Sequence, residues 1–205
     1  MYIPKINQLK DHKQIFKFVT TNSFGILVNN AENLPIATHI PMDLSERKDG
    51  QWLIQCHIAK ANPQWKSLEK NNQSLCIFTG PHAYISSSWY TSVNVPTWNY
   101  MAVHLYGKAR ILKASELKTL LKQQIDTYES NSENPTKMAD YETGFIDRLT
   151  RAVVGIEIIV EDIQAKYKLS QNKNEHEVNN LIGHLEKSDD PNAINIAKEM
   201  KKLKK

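Results

Sequence analysis

Apolar and polar residues alternate with the two-residue period of β-strands over much of the first part of the chain. The segments FGILVNN (24–30), LPIATHI (34–40) and QWLIQCH (51–57) show this alternation. A short polar connection, 31–33, joins the first two, and the turn-forming sequence RKDG precedes the third. The pattern predicts an antiparallel meander of three strands.

Three later segments also have strand patterns. SLCIFTG (74–80) is short and is predicted to return to the same sheet. Residues 98–112 alternate over an unusually long run, which suits a bent strand of a barrel. AVVGIEIIV (152–160) is mostly apolar and β-branched, so it is predicted to be central in the sheet.

Apolar residues at helical spacing predict helices around these strands. Segment 11–20 has one apolar face and begins at Asp11, which can cap it. A second, short helix is predicted to end near residues 71–72, with Asn62 as its cap and Pro63 in its first position.

The second half of the chain has its own helical patterns. Its apolar spacing predicts a helix capped by Ser115 that reaches Tyr128 and, after a polar loop, a helix over 137–149. Beyond residue 170 the pattern changes to two amphipathic helices, the second capped by Asp190. The C-terminus is therefore predicted to be a helical appendage.

Composition places the chain among globular proteins. Its 205 residues are 40% hydrophobic and 23% charged, which excludes collagen-like and wholly disordered chains. The sequence has neither the apolar run of a secretory signal nor that of a membrane span, so a cytoplasmic location is expected. Cys56 and Cys76 lie in strand-like runs and are predicted to be buried thiols rather than parts of a disulfide framework or a zinc site.

The net charge of +4 is concentrated at the end of the chain. The last eight residues, KEMKKLKK, contain five Lys and one Glu, so the first 197 residues sum to zero. A Lys-rich tail can contact nucleic acid or an anionic surface, but a solvated helix end needs no function. Charge therefore gives no indication of an acidic partner for the body of the protein.

An absence of charge is the most informative feature. No Asp, Glu, Lys or Arg occurs in the 37 residues from Asn71 to Gly107, and six of the 17 aromatic residues fall between Tyr84 and Tyr106. Loops are normally charged or solvated, so this uncharged window suggests burial against a flat ligand or a second subunit. A tightly folded structural loop is the alternative.

The segment before the short helix offers candidate chemistry. His57 and Lys60 precede a helix start, where a phosphate would find unpaired N–H groups, although a lysine there is more often a surface charge. Four histidines lie in or beside strands without metal-ligand spacing and are interpreted as hydrogen-bonding residues: His39, His57, His82 and His104. The sequence has no nucleophile elbow, phosphate loop or dinucleotide-binding glycine fingerprint.

Four segments stand out in order along the chain: HIAKANPQW (57–65), GPHAYISSSWY (80–90), VPTWNYMAVHLYG (95–107) and KYKLSQN (166–172). Together with the opening MYIPK and ATHIP (37–41), they resemble the PaiB family of FMN-binding split-barrel proteins. The resemblance implies an α+β, mainly β fold, an antiparallel FMN-binding split β-barrel similar to that of pyridoxamine 5′-phosphate oxidase, with flanking helices. It also implies a homodimer with flavin at the subunit interface.

The implied domain organisation and site follow from the same resemblance. Residues 1–170 would form the FMN-binding split-barrel domain, and 171–205 a C-terminal helical appendage packed on the barrel. Lys60 and His57 would lie near the FMN phosphate, and the strand containing Thr38 beneath the flavin. The residues expected to bind FMN are Thr38, His39, His57, Lys60, Asn62, Ser86, Trp89, Thr97, Trp98, Asn99, Tyr100, Lys168, Ser170 and Gln171.

Some alternatives remain open for these residues. Sheet packing could equally explain Thr38 and His39, and a strand end with a turn could explain the KYKLSQN segment. The family tends to have SPSWY where this chain has SSSWY, with Ser87 in place of Pro, which removes no ligand-binding group.

The resemblance implies a negative transcriptional regulator, linked in some bacteria to control of protease synthesis and sporulation. Direct DNA binding is possible but unsupported by composition, because the loop between Tyr128 and Lys137 is too long for a helix-turn-helix and the body is neutral. The alternative is a small FMN-dependent oxidoreductase or flavin reductase without direct DNA binding. No residue identifies itself as catalytic, and a cofactor-free dimeric scaffold is the third possibility.

Overall fold

Strands dominate the secondary structure. Across residues 1–32 and 34–203, the part of the chain that the computed structural model describes, the backbone forms seven strands and six α-helices. The strands are β1 (Phe24–Ala31), β2 (Leu34–Pro41), β3 (Asp43–Glu46), β4 (Trp52–Ala59), β5 (Gln73–Ile85), β6 (Thr97–Ile111) and β7 (Val153–Lys168). The helices are α1 (His12–Thr21), α2 (Gln64–Lys70), α3 (Ala114–Glu129), α4 (Thr143–Ala152), α5 (Glu175–Glu186) and α6 (Pro191–Lys202).

The strands form a mainly antiparallel sheet in the order β2-β1-β5-β6-β7-β4-β3. In its antiparallel register, Leu27 of β1 lies opposite Thr38 of β2 and Cys76 of β5. Cys56 of β4 lies opposite Ile156 of β7. The predicted long strand is confirmed, and so is the antiparallel pairing of the first two predicted strands, β1 and β2. The predicted three-strand meander is wrong, because β2 is an edge strand of the sheet and the third predicted strand, β4, pairs with β3 and β7 instead.

The chain divides into two compact units. The first unit contains residues 1–22, 78–104 and 164–205, and the second contains residues 23–77 and 105–163. The predicted division between residues 170 and 171 stays a prediction.

Each unit has its own buried side chains. In the first, α5 and α6 bury Leu181 and Ile196, and the Phe18 and Tyr167 rings lie 5.5 Å apart. In the second, both cysteines are free and buried, as predicted, and burial raises the pKa of the Cys56 thiol to about 12.

Helix starts show where the sequence interpretation succeeded. Asp11 caps α1 as predicted, because its carboxylate accepts the N–H groups of Lys13 and Gln14. Asp190 caps α6 as predicted, through the N–H of Asn192. Asn62 accepts the N–H of Gln64 at 3.0 Å, but it lies one residue before the N-cap of α2 and so is not the cap that was predicted.

Other helix starts differ from prediction. Pro63 is the N-cap of α2 rather than its first residue. Ser115 does not cap α3, since the helix begins at Ala114 with Lys113 as its N-cap, two residues before the predicted cap. The Glu116 carboxylate accepts the N–H of Lys113 at 2.7 Å. The helix predicted over 137–149 begins only at Thr143.

Three residues of interest lie outside the described part of the chain. Asn33 belongs to the predicted 31–33 connection, and Lys204 and Lys205 belong to the Lys-rich tail. Among the residues that are described, every helix is too short or too polar to cross a membrane.

Candidate functional site

A cavity of about 360 Å³ lies in the first unit. The N-terminal segment, the chain from Tyr90 to Asn99 and the end of β7 form its walls. Its volume falls within the range of small-molecule sites. Four residues predicted to bind cofactor line it: Thr97, Asn99, Lys168 and Ser170.

Hydrogen bonds to β7 hold the N-terminal segment that forms one wall of the cavity. The Met1 ammonium donates to the Gln164 side chain, and Lys166 Nζ donates to the Tyr2 carbonyl at 3.1 Å. The Leu9 N–H donates to the Ala165 carbonyl at 3.1 Å. The segment that contributes Pro4, Ile6 and Asn7 to the cavity wall is therefore bound to β7 on both sides.

A buried pair of polar side chains forms part of the cavity lining. Asn99 is 0% exposed, and its Nδ2 donates to Ser170 Oγ at 2.9 Å. Ser170 adopts a left-handed backbone with φ of 61°, which costs a non-glycine residue about 1–3 kcal/mol. The adjacent Gln171 helps to hold this turn, because it accepts the Leu169 N–H and donates to the Tyr167 carbonyl.

Two lysines supply the charge of the cavity. Lys168 Nζ donates to the Thr97 hydroxyl, and Lys173 Nζ lies 5.0 Å from the centre of the Tyr90 ring. Within the described residues, neither lysine pairs with a carboxylate. Burial, followed by the charge of Glu177, raises the pKa of the Tyr90 phenol above its ordinary value.

The loop of the uncharged window is anchored by helix α5. The Glu177 carboxylate accepts hydrogen bonds from the N–H and hydroxyl groups of both Thr91 and Ser92. These bonds, of which that from the Thr91 hydroxyl is the strongest, hold the pKa of Glu177 below its ordinary value. The sequence interpretation missed Glu177, because this charge lies outside the window that it anchors.

Two predicted residues of the same loop have structural contacts. The Trp89 ring stacks on His184 of α5 with centroids 5.0 Å apart and planes within 2°. Ser86 Oγ accepts the Ser88 N–H at 3.2 Å and begins a short 3₁₀ turn. Both residues therefore help to shape the loop.

Aromatic residues of β5 and β6 form an exposed cluster in the first unit. The Trp98 ring is 6.0 Å from His82 and 5.8 Å from Tyr84, and Trp98 is 52% exposed. Tyr100 instead lies 5.1 Å from Lys166 Nζ, in a cation–π contact. Trp98 thus keeps a ring surface that a flat ligand or a subunit could cover.

In the second unit, Thr38 and Asn62 join a buried network around Gln64. Asn62 Nδ2 donates to the Thr38 hydroxyl at 2.9 Å, and that hydroxyl donates to Gln64 Oε1. Gln64 Nε2 donates to the Leu27 carbonyl at 3.0 Å and to Asn29 Oδ1 at 2.8 Å. The network joins α2 to β1 and β2 and occupies much of the hydrogen-bonding capacity of Thr38 and Asn62.

His57 contacts helix α3. Its Nδ1 lies 2.8 Å from Gln124 Oε1, which leaves Nε2 for another partner. Asp43 Oδ2 and Gln124 Nε2 are buried close to each other. Burial raises the pKa of Asp43, and the smaller effects of the Gln124 amide and of His57 act to lower it.

His39 and Lys60 are the exposed members of the predicted set in the second unit. The His39 ring stacks on Phe24 with centroids 6.5 Å apart. The backbone of Lys60 is fixed on both sides, by Ala152 and by the Trp65 indole N–H. Within the described residues its ammonium makes no ion pair, so it is available to an anion.

Comparison with known proteins decides the family. The model of a family described as "Putative FMN-binding domain" matches residues 1–162. The chain belongs to this FMN-binding family. The predicted family resemblance and the predicted cofactor, FMN, are thereby confirmed.

A bacterial relative matches this FMN-binding chain from end to end. "Protease synthase and sporulation protein PAI 2" of Bacillus subtilis (strain 168) is 45% identical over 206 residues, which cover 100% of this chain and 99% of the relative. An uncharacterized protein of Emericella nidulans is 29% identical over 227 residues, which cover 91% and 90% of the two chains.

Solved structures share the fold. A FAD and heme binding protein from Mycobacterium smegmatis has a TM-score of 0.61 at 11% identity, covering 84% of this chain and 78% of that one. A conserved hypothetical protein from Mycobacterium tuberculosis also has a TM-score of 0.61, at 13% identity, covering 85% and 95%. The predicted fold class, an antiparallel split β-barrel with flanking helices, is confirmed.

Proposed function

We propose that this FMN-binding protein is a negative regulator of protease synthesis and sporulation genes. The observation that carries the proposal is the 45% identity to the Bacillus subtilis protein PAI 2 over the whole chain. The family match adds the flavin. When bound, FMN supplies an isoalloxazine ring that can accept and release electrons.

The residues present fit such a cofactor. Lys60 presents an ammonium without an ion pair among the described residues. The imidazolium form of His57 can donate from Nε2 to a phosphate oxygen while its Nδ1 donates to Gln124 Oε1. Trp98 presents a half-exposed indole on which a ring can stack. Six other residues stay predicted flavin-binding residues: Thr38, His39 and Asn62 of the second unit, and Ser86, Trp89 and Tyr100 of the first.

The flavin proposal is tested by absorbance between 300 and 550 nm before and after FMN is added, with size-exclusion chromatography of the same sample. Lys60→Met should weaken FMN binding about tenfold or more, because a charge-assisted hydrogen bond to phosphate is lost. Lys66→Met, which removes an exposed charge from α2, is the matched control. Equal affinities in the two variants would contradict the assignment of Lys60.

The regulatory proposal is tested by replacement in cells. A Bacillus subtilis strain without PAI 2 should recover its normal extracellular protease activity and spore count when it expresses this chain. The Lys60→Met variant, expressed to the same level, separates flavin binding from regulation. No recovery by the wild-type chain at normal expression would contradict a shared function.

We propose further that the protein acts as a cytoplasmic homodimer and that its regulation is indirect. The first 197 residues carry no net charge, whereas DNA-binding surfaces neutralise several phosphates. Electrophoretic mobility shift assays with promoter DNA of the affected genes test this point. Retarded DNA at physiological salt would show direct binding and overturn the indirect route.

A further inference from the structure

The cavity in the first unit carries positive charge without a counter-charge. Lys168 and Lys173 line it, and no carboxylate does so among the described residues. Ammonium groups in a partly enclosed site are stabilised when an anion pairs with them. The Thr97 hydroxyl and the Tyr90 ring hold the two ammonium groups in place but bring no negative charge.

The other residues that line the cavity indicate the chemistry of the uncharged part of a ligand. Asn99 and Ser170 are buried and hydrogen-bond to each other, so they form a polar part of the wall, while Pro4, Ile6 and Val95 are apolar. Such a lining suits a small molecule with one anionic group and a mixed polar and apolar body.

We propose that this cavity binds a small organic anion, with a phosphate or carboxylate group paired to Lys168 and Lys173. The proposal goes beyond flavin binding. The sequence predicted that Thr97, Asn99, Lys168 and Ser170 bind FMN, and here they line the site of a different ligand. Gln171 supports the turn that contains Ser170. Because the chain from Tyr90 to Asn99 forms one wall, the bound anion contacts the loop that Glu177 anchors.

Calorimetric titration of the purified full chain with inorganic phosphate, and separately with malonate, tests the proposal. Each titration is repeated at constant ionic strength set with sodium chloride, and again with FMN at saturation. Lys168→Met and Lys173→Met should each weaken anion binding about tenfold or more, because each loses a charge-assisted hydrogen bond. Lys187→Met, which removes an exposed charge elsewhere in the same unit, should change it less than about twofold.

The proposal is supported if either probe binds saturably, if both cavity variants bind it more weakly, and if FMN does not change its affinity. The probe that binds more tightly identifies the anionic group as phosphate or carboxylate. Absence of saturable binding, or equal binding by all variants, overturns it. If FMN displaces the probe and Lys173→Met weakens FMN, the cavity holds the flavin phosphate and the proposal is wrong. If the anion binds but FMN does not, the proposed flavin contacts are wrong and the anion proposal stands.

Far-UV circular dichroism identifies any variant that fails to fold. Lys173 is the safer position because it follows β7, whereas Lys168 ends that strand. A folded Lys173→Met variant is therefore sufficient to decide the outcome.

Discussion

Glu177 shows how one carboxylate can organise a loop without charges of its own. It is 4% exposed and receives four donor groups from Thr91 and Ser92. Its own N–H is bound by the Asn174 side chain at the start of α5. The loop conformation beside the cavity therefore depends on the charge of a single helix residue.

Replacing Glu177 with Gln should lower the midpoint of thermal unfolding at pH 7. The native hydrogen bonds depress the pKa of Glu177 below 4.5, so their stabilising effect is fully present above that pH and is lost as pH falls through the native pKa. The difference between wild type and Glu177→Gln should accordingly narrow below about pH 4.5. Thermal unfolding at pH 7 and at decreasing pH measures this difference, with Asp189→Asn, a change at an exposed carboxylate shortly after α5, as control. A difference that does not change with pH would contradict this role.

Gln64 has the corresponding role in the second unit. The Gln64→Ala change leaves the Leu27 carbonyl and Asn29 Oδ1 without a buried donor and should cost about 2–4 kcal/mol. Urea unfolding measures the loss, and Gln73→Ala at an exposed strand end is the control. If both variants lost the same small amount, the network would not be what fixes α2.

Sequence could identify the polar residues at these positions but not their partners. The family resemblance predicts that Thr38 and Asn62 bind flavin, which stays a prediction. Their side chains bind each other and Gln64, which is 26 positions along the chain from Thr38. Lys173 and Glu177 follow the KYKLSQN segment and were missed, since contacts such as those of Glu177, 86 positions from Thr91, have no local sequence pattern.

At the scale of elements, the close approach of β6 and β7 depends on Gly107. A Cβ at this position would lie 2.1 Å from the Ile159 carbonyl oxygen. Gly107→Ala should therefore lower the free energy of unfolding by more than about 3 kcal/mol, because the backbone of β7 cannot move aside as a flexible side chain can. Gly183→Ala in the middle of α5 meets nothing within 4 Å and should instead stabilise by about 0.5–1 kcal/mol. Urea unfolding of the two variants would contradict the packing argument if both changed stability in the same direction.

Helices and strands whose hydrophobic pattern extends over many residues could be predicted from sequence. Short strands, and helix starts that depend on a local hydrogen bond, could not. β6 alternates over 15 residues, so its pattern is unambiguous. β3 has four residues, too few to show a period. The start of α3 was misplaced because Glu116 binds back to Lys113, an interaction that competes with the serine cap that the sequence suggested.

At the scale of the whole molecule, the segment that is proposed to meet a second subunit contains no charged side chains. The 37-residue uncharged window contains the exposed aromatic cluster of Trp98, His82 and Tyr84. Exposed aromatic side chains in an uncharged region are typical of contact surfaces. This supports the proposal that the window meets a second subunit.

Trp98→Arg should therefore convert the proposed dimer to monomer at micromolar concentration, because the charge would be buried without a partner. Leu203→Arg places the same charge at a residue that is 51% exposed at the end of α6 and should leave the dimer intact. Light scattering after size-exclusion chromatography over a dilution series measures the mass, and FMN titration of each fraction shows whether flavin binding follows dimerisation. A Trp98→Arg dimer as stable to dilution as wild type would place the interface elsewhere. If that dimer nevertheless lost FMN, Trp98 would contact the flavin without contributing to the association of subunits.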